Sequence, residues 1–123
     1  MEILEIMNQL LINNNINYAF ERWNKEKVSY PYWIGECEEI EPNEETQLHE
    51  FNFRLTGTTR KQWSDLFKDK EKIEKLFFPS LKTKSTNGSG IVIRYTGFST
   101  PPTQEAELKR MQINLTIKEW RTN

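Results

Sequence analysis

Between residues 111 and 117 the chain reads MQINLTI, with Met111, Ile113, Leu115 and Ile117 separated by single polar residues. Successive side chains of an extended strand point to opposite faces, so this alternation calls for a strand with one apolar and one wet side. Such a strand cannot stand alone, because its backbone needs paired neighbours and its apolar side needs a covering layer. The same period of two recurs where Phe51, Phe53 and Leu55 alternate with Asn52, Arg54 and Thr56, and again at Ile91, Ile93 and Tyr95. The chain is therefore expected to build a sheet with one buried face, and the fold turns on what covers it.

Two segments carry the helical period instead. Ile3, Leu4, Met7, Leu10 and Leu11 recur at i, i+3, i+4 and i+7, which predicts a short amphipathic helix ending near Asn13, where INNNIN breaks the pattern. Further on, Trp63, Leu66, Phe67, Ile73, Leu76 and Phe77 line one face of a second helix, capped by Thr58 or Thr59 and ended by Pro79. Its other face interleaves lysines with Asp65, Asp69, Glu71 and Glu74, the pattern of a solvated face laced with i,i+4 pairs. Ile16, Tyr18 and Phe20 suit a strand, with a helix continuing through Trp23 as the alternative.

VSYPYWIGECEEI is β-branched and aromatic, with Pro31 fit for a strand start or edge and Gly35 suggesting a bulge. EPNEE (residues 41–45) reads as an acidic turn and STPPTQE as a loop. The expected order is α-β-β-β-α-β-β: an α+β fold with a mostly antiparallel sheet packed by an N-terminal and a middle helix. All of residues 1–123 fit in one domain of 123 residues.

Several chemistries lack their raw material. With 17 Lys and Arg against 18 Asp and Glu, no global field attracts a polyanion. The lone Cys37 has no internal disulfide partner, and Glu36, Glu38 and Glu39 oppose its thiolate. His49 and Glu50 are neighbours on a strand and so point to opposite faces, which makes His49 a solvated or edge-strand residue rather than half of an acid–base pair. One His and one Cys do not make a zinc cage, and ECEEIEPNEE lacks the spacing of a calcium loop. The aromatics Tyr30, Tyr32 and Trp33 come without a basic groove, which favours packing over base stacking. No catalytic, cofactor-binding or metal-binding set is expected, and no apolar run approaches the length of a membrane span. Acidic Glu2 and Glu5, where a secretory signal would be basic, suggest a cytosolic site of synthesis.

One polar stretch stands apart, LKTKSTNGSG (residues 81–90). A phosphate-cradling glycine loop follows a strand and opens a helix, whereas NGSG follows a helix and precedes a strand. It reads as a flexible connector with a turn at Asn87-Gly88, and Lys82 and Lys84 equip it to meet a passing polyanion. Lys82, Lys84, Asn87 and Gly88 are the candidate residues for facing a partner or a lumen.

The helix-first element order, YPYWIGECEE, FNFRLTGTTRKQWSDL entering the middle helix, and the closing EAELKRMQINLTIKEW resemble the tail terminator and tail completion proteins of long-tailed bacteriophages and prophages. That resemblance spans nearly the whole chain and rests on patterns rather than a diagnostic motif. It implies a non-enzymatic subunit that assembles with itself into a ring, commonly a hexamer, at the head-proximal end of the tail tube. The implied partners are the tail tube protein and the head–tail connector, with non-specific contact to DNA in the channel and none to a membrane. Its implied place is the host cytoplasm during assembly and then the virion tail. The competing expectation from the residues is a small α+β ligand- or peptide-binding module of bacterial origin.

Overall fold

The computed structural model describes residues 2–21 and 28–121, so the alternative helix through Trp23 lies outside the described residues. Eight elements follow in order: α1 (Glu2–Asn13), β1 (Tyr18–Phe20), β2 (Tyr32–Asn43), β3 (Leu48–Thr59), α2 (Trp63–Phe77), β4 (Leu81–Lys84), β5 (Gly90–Ser99) and β6 (Lys109–Trp120). The fold is α+β, as expected. One six-stranded sheet has the order β1-β2-β3-β6-β5-β4, antiparallel except for the parallel pair β1 and β2.

The alternation that demanded a sheet also sets its two faces. Ile113 lies opposite Leu55, Leu115 opposite Phe53 and Ile117 opposite both Phe51 and Ile93, so the apolar positions of β3, β6 and β5 form continuous rows. These side chains are all buried, together with Ile3, Met7 and Leu11 of α1 and Leu66, Ile73 and Phe77 of α2. Both helices therefore cover the same face, and the core lies between them and the sheet.

Two glycines make room for aromatic rings on that face. A methyl group at Gly57 would come 2.7 Å from the fully buried ring of Trp33, and one at Gly35 would come 2.7 Å from the Tyr18 hydroxyl and 2.8 Å from Phe53. Gly35 thus marks a close approach and not the expected bulge, since it stays in register opposite Leu55. The register slips elsewhere, between Ile40 and Asn43 in β2 and between Tyr95 and Gly97 in β5.

Other expectations need correcting. Thr58 and Thr59 do not cap α2: both belong to β3, and the helix starts from Gln62, whose side chain makes no cap. The acidic turn begins later than expected, because β2 runs on through Asn43, whose side chain accepts hydrogen bonds from the backbone of Glu45 and Thr46. The largest correction falls on residues 81–90. Leu81–Lys84 form a strand, and the following turn is closed by bonds from Ser85 N to Ser89 O (2.9 Å) and Gly88 N to Ser85 O (3.0 Å). Glu2 of α1 then accepts from both the backbone and the hydroxyl of Thr86, at 2.7 and 2.6 Å. The flexible connector is in fact a hairpin held to the first helix.

Candidate functional site

With both helices on one face, the other face of the sheet is left to solvent, and its rows follow from the register. Glu38, Asn52, Thr116 and Arg94 make one row from β2 to β5; Ile40, Glu50, Lys118, Val92 and Lys82 make the next, ending on β4. Charge is sorted along these rows. β2 carries Glu36, Glu38, Glu39 and Glu41 and no basic residue, whereas β5 carries Arg94 and β4 carries Lys82 and Lys84, with no acid on either. In the middle the signs meet, where Lys118 lies 3.8 Å from Glu50.

Distance keeps the two poles apart. Glu38 and Arg94 are separated by three strand spacings, about 14 Å at ~4.8 Å per strand. That exceeds the screening length of about 8 Å at physiological salt, so the pair gains little within one molecule.

The edges beside these poles are open. β1 pairs with β2 only as far as Gly35, and β4 pairs with β5 only from Gly90 to Ile93. Among the described residues, no strand pairs with the outer edge of residues 36–43 or of residues 94–99. Beside the second of these edges lies an aromatic shelf. Phe67 of α2 meets Phe98 edge-on with centroids 5.9 Å apart and Trp63 at 6.3 Å, and Lys70 Nζ stands 4.7 Å from the Phe98 ring. Trp63, Phe67 and Phe98 are 38%, 38% and 42% exposed, so two residues assigned to the core by helical spacing belong instead to the surface.

A second feature lies on the helical side. A cleft of about 870 Å³ opens between α2 and the chain entering β2, lined by residues including Asn17, Tyr30, Pro31, Lys68 and Asp69. Asp69 is 8% exposed, contrary to the expectation of a solvated face, and accepts a 2.9 Å hydrogen bond from the indole N–H of Trp33. Burial raises its carboxyl above the ordinary range, outweighing the Trp33 bond and the charge of Lys72, whose Nζ is 4.0 Å away; Asp65 adds to the rise.

The four candidate residues are brought together only in part. Lys82 and Lys84 alternate on β4 and project from the open face of the sheet at its basic edge. Asn87 turns inward, accepting bonds from the hydroxyls of Ser85 and Ser89, and Gly88 takes a φ of +90° at the exposed tip. His49 is not at an edge: it sits on β3, with its ring 2.9 Å from the Glu39 carboxylate. The Cys37 thiol is pushed up, first by burial and then by Glu39.

Sequence reasoning missed Arg94, Glu36 and Glu38 as a polarised pair of edges, because their opposition exists only once the strand order is known. The acid run itself was visible in ECEEIEPNEE. Phe98 gave no signal, since it lies beyond a register slip that ends the alternation of β5. No protein family and no curated protein matches this chain. What this surface can do is therefore set by its own chemistry.

Proposed function

We propose that the chain is a non-enzymatic structural protein of a bacteriophage or prophage tail, a subunit that forms a ring at the head-proximal end of the tail tube and terminates the tail or joins it to the head. The observation that carries this reading is the sorting of charge across the sheet, acidic at β2 and basic at β4 and β5. Two β2 edges meeting each other would oppose carboxylates, and two β4–β5 edges would oppose cations, so like-with-like dimers are disfavoured. Acid against base is a head-to-tail contact, and head-to-tail contacts close into rings when the rotation between copies permits. The resemblance in element order and in the closing strand supplies the tail context. A hexamer, with the tail tube protein and the connector as neighbours, belongs to the same reading, as does loose contact of Lys82 and Lys84 with DNA in the channel. Assembly then takes place in the host cytoplasm, and the finished ring resides in the virion tail.

Sedimentation of the purified chain over a concentration series tests this. A closed species of fixed stoichiometry is expected, ring-shaped in negative-stain images and weakened by high salt. A monomer at every concentration would overturn the proposal.

The cleft favours a second reading, a ligand- or peptide-binding module. Its 870 Å³ volume is within the range of small-molecule sites, and Asp69 brings a nearly buried carboxylate to its wall. Under that reading the chain stays monomeric, and an Asp69 variant loses ligand-induced stabilisation.

A further inference from the structure

We propose that the open edge of β5, residues 94–99, together with the shelf of Trp63, Phe67 and Phe98, is the seat for the acidic open edge of β2 from a second copy of this chain. The inference rests on the ring reading and names its interface. Its basis is complementarity between two unfilled edges of one sheet. Residues 36–43 and residues 94–99 are both left without a described partner strand, because β1 and β4 each stop short. A neighbour placed so that its sheet continues this one would lay its β2 antiparallel to β5, since β2 and β6 run one way and β3 and β5 the other. Antiparallel pairing satisfies both free ladders at once.

Charge selects the partner. Glu36 and Glu38 lie on the open face of β2 and Arg94 on the same face of β5, so a continued sheet brings acid to base across the joint. The pairing that is about 14 Å too far within one molecule becomes short between two. Apolar burial comes from beneath. The shelf stands on the helical side of β5, where its three rings are more than a third exposed, and a strand added at this edge would cover them. The slip after Tyr95 and Pro42 in β2 interrupt the two ladders, which discourages pairing with unrelated strands and leaves side-chain charge to set the match.

The test uses the full chain and three variants: Arg94→Glu, Glu38→Arg, and the two together. Arg94 and Glu38 are both exposed, so folding should survive, and near-ultraviolet circular dichroism checks this. Each single reversal is expected to weaken self-association by about tenfold or more, and the double reversal to restore it. Phe98→Ser is expected to weaken association without changing its salt dependence. If the unaltered chain associates and the reversals associate equally well, the ring uses another surface and this inference falls while the ring reading stands. If the unaltered chain never associates, both fall. Single reversals that weaken assembly without rescue in the double variant would also overturn the match between these two edges.

Discussion

Asp69 is the residue whose chemistry most exceeds what folding asks of it. Its folded carboxyl titrates above the ordinary 3.8, so the folded state holds the proton more tightly than the unfolded one. Stability is then greatest below the unfolded value and falls as pH rises through the window up to the folded value. Asp69→Asn keeps an oxygen for the Trp33 indole and removes that slope. Its stability relative to the unaltered chain should grow between about pH 3 and pH 7, followed by urea midpoints at each pH. Asp69→Ala instead strands the buried N–H and should cost about 1–3 kcal/mol. Gly57→Ala drives a methyl into the Trp33 ring, and a loss of about 1–3 kcal/mol in the same assay is expected. The sequence hid Asp69 because i,i+4 spacing with lysines is also the signature of a wet face, and only the cross-sheet position of Trp33 turns it inward.

Elements were legible where one periodicity governed them alone. The alternations at residues 51–55 and 111–117 and the amphipathic pattern of α1 each specify one face, and each element formed as expected. Leu81–Lys84 escaped notice because four residues with two lysines carry too little apolar contrast to mark a strand. What makes them one is the hairpin to Ile91 and Ile93, plus the grip of Glu2 on Thr86. Glu2→Ala should therefore speed amide exchange at Thr86 and Gly88 while leaving Phe53 and Ile113 protected, read by hydrogen exchange with NMR detection. Equal protection at Thr86 in the variant would mean that the turn holds itself. The charge poles were legible as compositions of single segments and illegible as a pair, because their opposition is a property of strand order.

At the scale of the whole molecule, the sheet places its last element at its centre. β6 lies between β3 and β5, opposite Leu48 to Thr59 on one side and Gly90 to Ser99 on the other. A ribosome delivers the described elements in the reverse of that logic, since everything flanking β6 emerges before it. Until it arrives, β3 and β5 have no shared neighbour, and their apolar rows and free ladders stay available to any other nascent chain. When many copies are translated from one message, the central gap of one chain can accept the terminal strand of another, exchanging identical segments before either molecule is complete. The yield of correctly closed protein is thus a race between synthesis of the final strand and encounters between unfinished neighbours.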